Sequence, residues 1–302
     1  MMNGIVLGIE TGGTKIVARL EGPDGTIAQA RWPTTSPDVA LDDITSWIGE
    51  SLPRDARPIA AGIAAFGPLI VDPADPRYGE QLTTPKPGWA GANLQAALAA
   101  RLGIPVVIDT DVNAAARAEL ALGAGRGRPS IAYLTIGTGI GAGLASSGGT
   151  LKGAMHPEVG HLRLVRADGD MLLSACPFHG DCAEGLAAGP ALQRRLGGGF
   201  TLDDRPDVRA LAAAYIAQLC VMLVHAWSPH RIVMGGGVGT ADQMITVVRD
   251  AFARALGDYG VGPAARAPDF IVPATLDHAG LEGALLMAND VAQSSREVLD
   301  AQ

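Results

Sequence analysis

The sequence contains little cysteine, little lysine and no excess of positive charge. Three cysteines among 302 residues exclude a small scaffold held together by disulfides. The net charge of −8 and the pI of about 5.2 argue against a nucleic-acid-binding surface and against binding to an anionic membrane. We expect no apolar run of membrane-spanning length, and the N-terminal residues lack the features of a signal peptide. These absences predict a cytoplasmic protein without nucleic-acid or membrane partners.

The chain does contain enough apolar residues for large cores. Hydrophobic residues make up 48% of the sequence, and a chain of this length forms one large or two ordinary domains. The 40 glycines and 20 prolines are not arranged in repeats, so they indicate many tight turns rather than disorder.

Two of the three cysteines lie close together, with histidines near them. Cys176, His179 and Cys182 follow one another at intervals of three residues, and His161 lies fifteen residues upstream of Cys176. A disulfide is awkward at this spacing and unexpected in a chain without secretory features. Two thiols and two imidazoles match a tetrahedral zinc site with four protein ligands, which would fix a loop. Chance clustering in a loop, or a reactive thiol pair, is the alternative.

Two glutamates border the predicted metal loop. Glu158 precedes His161 by three residues, and Glu184 follows Cys182 by two. A metal ion that fixes both ends of the loop would hold the two carboxylates at a defined separation, as a ligand rich in hydroxyl groups requires. Each glutamate taken alone would be interpreted as a solvated surface charge.

The chain has three lysines, Lys15, Lys86 and Lys152, against twenty arginines. Where arginine supplies most of the positive charge, the few lysines suggest positions that need a compact ammonium group. All three lie in motif-like segments, although Lys152 could also be a plain solvated side chain.

A glycine-containing turn near the N-terminus is predicted to join two strands at 5–9 and 16–20. The Walker pattern is absent, yet small residues let backbone N–H groups approach a phosphate. Thr11 could also meet the phosphates, and a glycine hairpin by itself is structural more often than not. The residues expected at the nucleotide are Glu10, facing magnesium or its waters, and Gly12, Gly13, Thr14 and Lys15, facing the phosphates.

The same arrangement recurs at residues 131–145. An apolar strand, a G-T-G-I-G turn that contains Thr138 and Gly139, and a second apolar strand follow one another. Two similar strand–turn–strand units, one opening each half of the chain, indicate a duplicated architecture. If the two turns faced each other, they would clamp a polyphosphate from both sides.

A strand predicted at 104–108 runs directly into D-T-D-V-N-A-A, the start of a predicted helix. Ligands of open α/β sheets collect at the carboxyl ends of strands. Asp111 is therefore a candidate catalytic carboxylate, and a helix N-cap is an equal alternative. Asn113 carries both a donor and an acceptor and suits a sugar hydroxyl. Upstream, T-T-P-K-P-G-W presents Lys86 either as a ligand contact or as part of a rigid crossover.

Together these motifs resemble the ROK family of sugar kinases, which has the actin-like ATPase fold. The resemblance covers nearly the whole chain and includes F-G-P, H-P-E-V-G-H and the glycine run at 235–237. Within the family, T-P-K-P-G-W together with C-P-F-H-G-D-C is similar to the bacterial zinc-containing fructokinases. Glu10 stands where many relatives carry aspartate.

The resemblance implies an α/β protein with an actin-like ATPase (ribonuclease H-like) fold, in two domains around a cleft. The expected domains are 1–115 plus 285–302, and 116–284 with the zinc loop. The resemblance also implies a homodimer that transfers phosphate from ATP, with Mg²⁺, to fructose, giving fructose 6-phosphate. It implies that Asp111 is the general base and that the loop holds Zn²⁺.

The resemblance also assigns individual residues. Those implied at the sugar are Gly67, Lys86, Asn113, Glu158, His161 and Glu184. Those implied at ATP and magnesium are Glu10, Gly12, Gly13, Thr14, Lys15, Thr138, Gly139, Gly189, Gly235, Gly236 and Gly237. Those implied at zinc are His161, Cys176, His179 and Cys182, so that His161 serves both sites.

Three alternatives stay open on the sequence. Glucose, mannose or N-acetylmannosamine could replace fructose, because selectivity depends on side-chain placement. A sugar-sensing transcription regulator would need a DNA-binding helix-turn-helix, for which a first strand beginning by Ile5 is expected to leave no room. A non-catalytic actin-like ATPase or polymer subunit would have no evident use for a hydroxyl-binding loop.

Overall fold

The chain forms two compact α/β units in a computed structural model that describes residues 4–258 and 262–300. The segments of unit 1 are Met1–Ala118, Thr150–His156 and Asp277–Gln302, and those of unit 2 are Glu119–Gly149 and Pro157–Leu276. The boundaries expected from the sequence lay at 115/116 and 284/285. The units instead change at 118/119 and 276/277, and unit 1 also includes the short segment 150–156.

Strands and helices alternate along much of the chain. The strands are β1 (Val6–Thr11), β2 (Lys15–Gly22), β3 (Gly25–Pro33), β4 (Ala60–Ala65), β5 (Val106–Thr110), β6 (Ser130–Ile136), β7 (Ile140–Ser146), β8 (Gly149–Thr150), β9 (Ile232–Gly235) and β10 (Ile271–Pro273). The helices are α1 (Pro37–Ser51), α2 (Leu94–Leu102), α3 (Asp111–Ala121), α4 (Ala183–Ala187), α5 (Gly189–Leu196), α6 (Pro206–Trp227), α7 (Met244–Leu256) and α8 (Ala279–Asp300). Short 3₁₀ turns lie at Val159–His161 and Pro263–Arg266.

The sheet of unit 1 has the strand order β3-β2-β1-β4-β5. β1 pairs antiparallel with β2 and parallel with β4, which in turn pairs parallel with β5. The central strands are apolar on both faces because each face is covered by helices or loops. Helix α8 approaches one face so closely that a Cβ at Gly62 would lie 2.0 Å from the carbonyl oxygen of Ala284.

The sheet of unit 2 has the order β10-β9-β6-β7-β8. Read in reverse, it matches the sheet of unit 1 strand for strand: β6 and β7 form an antiparallel hairpin like β1 and β2, and β6 pairs parallel with β9 as β1 does with β4. The duplicated architecture predicted from the two glycine turns is confirmed.

Helix α6 is the apolar centre of unit 2. Leu219, Cys220 and Leu223 are fully or almost fully buried in its core, which explains why the helix is apolar on most sides. By length and composition α6 could also cross a membrane, although half of its most apolar window is buried. The expectation that no apolar run reaches such a length was therefore wrong.

Other sequence predictions differ from the structure in detail. The sequence predicts one helix at 186–196. The structure has two helices in this region, α4 and α5, because Pro190 favours the first turn of a new helix. The edge strand β3 was not predicted. The last helix, predicted at 280–290, continues as α8 to Asp300.

Candidate functional site

The carboxyl ends of β1, β4 and β5 meet at one edge of the unit 1 sheet. The register sets Thr11, Ala65 and Thr110 side by side. The chain leaves this edge through the glycine turn that begins at Gly12, through the F-G-P motif and through α3. The predicted phosphate turn, Gly67 and Asp111 therefore emerge from the same edge, where open α/β sheets bind ligands.

Asp111 is the first residue of α3 and is half-buried. The side-chain oxygen of Thr110 accepts a hydrogen bond from the Asn113 N–H at 3.1 Å, so the N-cap position belongs to Thr110. The alternative role of Asp111 as the N-cap is therefore wrong. One carboxylate oxygen of Asp111 accepts from the Val112 N–H at 2.8 Å, at a helix end whose dipole favours negative charge.

Asn113 is fully buried and is held by a carboxylate. Its amide nitrogen donates to Asp109 at 2.9 Å, and Asp109, itself 1% exposed, also accepts from Thr150 at 2.8 Å and pairs with the Lys152 ammonium at 2.9 Å. Lys152 is therefore not a plain solvated lysine. Within the described part of the chain, the Asn113 side-chain oxygen has no hydrogen-bond partner. The scarcity of lysine was the one signal in the sequence for this network.

The first glycine turn is held by side chains from distant segments. The Gly12 N–H donates to the Lys15 carbonyl at 2.8 Å, and the Thr34 hydroxyl donates to the Gly12 carbonyl at 2.6 Å. The Lys86 ammonium donates to the Gly13 carbonyl at 2.7 Å. The structure thus brings Lys86, assigned above to the sugar, to the turn assigned to the phosphates.

Glu10 lies at the end of β1, next to this turn. Burial raises the pKa of Glu10 above its ordinary value, while His278, Lys15 and the Leu281 N–H in the first turn of α8 act against that rise. The start of α8 therefore stabilises the carboxylate of Glu10, as the N-terminus of a helix does for an anion.

The second glycine turn, in unit 2, has different partners. The Gly137 N–H donates to the Gly139 carbonyl at 2.9 Å, and the Gly189 N–H donates to the Gly137 carbonyl at 2.7 Å. The Ile140 N–H, at the end of the turn, donates to the carboxylate of Glu184 at 3.1 Å. Gly139, Gly189 and Glu184 are thus brought together, with Thr138 at the tip.

The glycine run after β9 lies beside the same turn. A Cβ at Gly235 would lie 2.2 Å from the Tyr133 hydroxyl oxygen, and one at Gly236 would lie 2.4 Å from the Ile136 carbonyl oxygen. Gly236 also has φ of +79°, which favours glycine. Gly237 faces open space. Packing explains the first two glycines, and Gly237 is the one with room for a ligand.

The predicted metal ligands come together in unit 2. The ligand atoms of His161, Cys176, His179 and Cys182 lie within 4.8 Å of one another. His161 Nδ1 is 4.0 Å from the sulfur of Cys176 and 3.8 Å from that of Cys182, and His179 Nδ1 is 3.7 Å from Cys176. Zn–S bonds of about 2.3 Å and Zn–N bonds of about 2.0 Å at tetrahedral angles require S–N separations of about 3.5 Å. The donor set therefore fits zinc in type, number and spacing.

Cys182 is buried and caps helix α4. Its sulfur accepts from the Gly185 N–H at 3.3 Å, and burial raises the pKa of its thiol to about 11. Metal ligation requires a thiolate, and a bound cation favours that form.

Glu158 is buried and lies near the charge of Glu184. Burial, and then the charge of Glu184, raise the pKa of Glu158 to about 7. A carboxyl group that titrates near neutral pH can donate to a hydroxyl group when protonated and accept from one when ionised.

Glu119 is a buried carboxylate that the sequence did not reveal. It accepts from the N–H groups of Ala124 at 2.7 Å, Thr275 at 2.8 Å and Leu276 at 2.9 Å. Glu119 is the first residue of unit 2, and Leu276 is its last. A single acidic residue on a predicted helix does not indicate that its carboxylate will bind the N–H groups of a distant segment.

Comparison with known proteins gives a consistent result. The model of the ROK family matches residues 6–291. The chain is 40% identical to a fructokinase from Pediococcus pentosaceus over 93% of this chain and 96% of that protein. It resembles the structure of a ROK hexokinase from Thermus thermophilus with a TM-score of 0.77 and 28% identity, over 96% of this chain and 99% of the other.

A second solved structure is a ROK family glucokinase from Streptomyces griseus in complex with glucose and AMPPNP. It has a TM-score of 0.73 and 27% identity, over 95% of this chain and all of that one. These likenesses confirm the expected actin-like ATPase fold. The family match extends over both units, and on this evidence the chain belongs to the ROK family.

Proposed function

We propose that this protein is an ATP-dependent sugar kinase that phosphorylates fructose at its 6-hydroxyl, with Asp111 as the general base. The observation that carries the proposal is the position of Asp111. It begins α3 at the sheet edge from which the first glycine turn also emerges, and Thr110 performs the capping role that would otherwise explain an aspartate there. The fructokinase from Pediococcus pentosaceus supports the choice of sugar.

The reaction forms one bond and breaks one bond. Asp111 takes the proton of the sugar hydroxyl, whose oxygen bonds to the γ-phosphorus while the bond from that phosphorus to the ADP oxygen breaks. Such transfers depend on positioning and on stabilisation of charge more than on covalent help from the protein. Backbone N–H groups of the first glycine turn, Lys15 and a magnesium ion near Glu10 would supply that stabilisation.

For the sugar we propose contacts from Asn113, Glu158, His161 and Glu184. Fructose is rich in hydroxyl groups, and this set offers carboxylates, an imidazole and an amide. Glu158, whose pKa lies near 7, can either donate or accept.

For the four-ligand cluster we propose a structural zinc ion. The S–N distances support tetrahedral coordination, and four protein ligands leave no position for water or substrate. The ion would then stabilise the segment that carries Glu158 and Glu184. The homodimer implied by the family resemblance and the cytoplasmic location predicted from the composition of the sequence stay predictions.

The test is a coupled assay of ADP release with fructose, glucose, mannose and N-acetylmannosamine, applied to wild type and to Asp111→Asn. We expect fructose to give the highest kcat/KM, and the variant to lose a factor of about 10² to 10⁴ in kcat because the base is gone. Fructose binding measured by calorimetry should be largely kept. Asp38→Asn is the matched control, since Asp38 is also in the first turn of a unit 1 helix.

Two outcomes would reject parts of the proposal. Turnover by Asp111→Asn close to that of wild type removes Asp111 as the base. A preference for another hexose, with Asp111→Asn inactive, keeps the kinase and corrects the substrate.

A further inference from the structure

We propose that Lys86 is a positioning residue for the nucleotide phosphates rather than a sugar contact: its ammonium holds the peptide group between Gly13 and Thr14 so that the Thr14 N–H points toward the phosphate chain. The proposal rests on the proposed kinase function for the identity of the anion. It uses only residues of unit 1.

Three consecutive carbonyl groups of the first glycine turn are held from outside the turn. The Gly12 carbonyl accepts from the Thr34 hydroxyl at 2.6 Å, and the Thr14 carbonyl accepts from the Thr34 N–H at 3.0 Å. The carbonyl between them, that of Gly13, accepts from the Lys86 ammonium at 2.7 Å. Thr34 directly follows β3, which pairs with β2, whereas Lys86 lies 73 residues from Gly13 in the chain.

Fixing a carbonyl also fixes the next N–H. The peptide group is planar and trans, so its C=O and N–H point in opposite directions. The Thr34 hydroxyl thus orients the N–H of Gly13, and Lys86 orients the N–H of Thr14. Among the residues that the structure describes, neither N–H has an acceptor. Free N–H groups on successive residues are the donors from which a concave anion-binding site is formed.

The segment that carries Lys86 is anchored independently of any ligand. Trp89 is 1% exposed, its indole N–H donates to the Thr35 carbonyl at 2.7 Å, and its ring lies 4.9 Å from that of Phe66. The Lys86 carbonyl accepts from the Trp89 N–H at 3.3 Å. The tryptophan therefore fixes the base of the loop, and the lysine extends from it to the turn.

A cation on the carbonyl side also strengthens the N–H on the other side. Hydrogen bonds polarise one another along a chain, and an ammonium donor is stronger than a neutral one. The Lys86 charge would thus act on the phosphate through the peptide group, without touching it. A compact ammonium suits a single carbonyl acceptor better than the planar guanidinium of arginine.

The experiment compares Lys86→Met, which removes the ammonium group and keeps the rest of the unbranched chain, with Lys86→Arg. Thr83→Ala, in the same loop, is the control. For each we would measure KM for ATP, KM for fructose, kcat, the Kd for ADP by calorimetry, and Tm. We expect Lys86→Met to raise both the KM for ATP and the Kd for ADP roughly tenfold, as for loss of a hydrogen bond from a charged donor. The KM for fructose should change less than about twofold, and Lys86→Arg should restore part of the nucleotide affinity because it retains a charged donor.

A rise in the KM for fructose with unchanged ADP affinity overturns the proposal and returns Lys86 to the sugar. Nucleotide affinity that falls in Lys86→Met and is not improved in a folded Lys86→Arg also overturns it, since that pattern indicates general damage to the loop. If the wild type binds ADP but phosphorylates no hexose, the proposed function fails. The ratio of the Kd for ADP of Lys86→Met to that of wild type still decides the role of Lys86.

Discussion

The two glycine turns follow the same pattern in sequence and topology, yet their electrostatic surroundings are opposite. The first turn is approached by the Lys86 ammonium, which binds the Gly13 carbonyl and leaves N–H groups for an anion. The second turn has the Glu184 carboxylate on the Ile140 N–H. On the proposed assignment, a phosphate would meet free backbone donors and positive charge at the first turn, whereas a donor of the second turn is already bound by a negative charge.

The difference shows how a duplicated unit acquires distinct roles. The strand–turn–strand backbone is the same because it depends on short-range pairing. The partner that approaches each turn comes from a segment with no counterpart in the other unit. In unit 1 this is the loop anchored by Trp89, and in unit 2 it is α4, which follows the last residue of the histidine and cysteine cluster.

Loss of the metal should have the largest effect of the changes considered, and it should affect the second turn but not the first. If the proposed zinc ion holds α4 and Glu184 in place, Cys182→Ser should lose the metal and lower Tm by about 5 °C or more, since about 2 kcal/mol moves the Tm of domains of this size by that much. Hydrogen exchange at Ile140 should accelerate, and exchange at Gly13 and Thr14 should not. Metal content, calorimetry and exchange mass spectrometry measure these three effects.

The control for this experiment is Cys220→Ala, which removes a buried thiol of unit 2 outside the cluster. It should retain one equivalent of metal. Equal exchange at Ile140 in metal-loaded and metal-free protein would contradict the link between the cluster and the second turn.

Glu184→Ala should destabilise unit 2 by about 1 kcal/mol, because the partly buried Ile140 N–H loses its acceptor. Glu184→Gln retains an acceptor oxygen and should cost less. Both variants should weaken fructose binding, and neither should alter the Kd for ADP by more than about twofold if the second turn is not the main phosphate site. Urea denaturation and calorimetry provide the values, and an ADP affinity that falls with the fructose affinity would remove the contrast between the turns.

Gly13→Ala should have little effect on stability and a clear effect on nucleotide binding. A Cβ at Gly13 meets no atom within 4 Å, so the free energy of unfolding should stay within about 0.5 kcal/mol of wild type. The added methyl group would occupy the space that our proposal assigns to phosphate. Gly139→Ala is the counterpart in the second turn, where the Cβ would lie 2.7 Å from a carboxylate oxygen of Glu184. It should weaken fructose binding more than ADP binding. Unchanged ADP affinity in Gly13→Ala would contradict the assignment of the first turn.

The smallest expected effect concerns Glu10 and pH. Burial raises the pKa of Glu10 above 4.5, so the folded protein holds a proton that the unfolded chain has already lost. This contribution to stability is fully present below pH 4.5 and is lost as the pH rises through the folded-state pKa. Glu10→Gln should therefore flatten the dependence of unfolding free energy on pH above 4.5, measured by urea denaturation without magnesium. His278 and Lys15 face Glu10 and limit the size of the effect, and an unchanged slope in the variant would contradict it.

Much of the candidate site could be predicted from local spacing. The cysteine and histidine intervals identified a four-ligand cluster, and the step from strand to D-T-D-V-N identified the start of α3. The role of Thr110 as the cap could not be distinguished from that of Asp111, since both residue types accept backbone hydrogen bonds and differ by a single position in the chain. The division of the helix at Ala188 was missed although G-P gave a signal, because the apolar residues on either side fit one continuous helix.

By itself, the sequence determined the two hairpins, their duplication, the cluster of two histidines and two cysteines, and the strand that delivers Asp111, because each is set by residues near one another in the chain or by a repeated pattern. The tertiary structure alone decided which partner each lysine meets and which turn receives a carboxylate. Lys86 and Gly13, and likewise Lys152 and Asp109, are far apart in the chain. A lysine side chain is long and flexible and can reach many acceptors, so its partner is fixed only when packing brings two distant segments together.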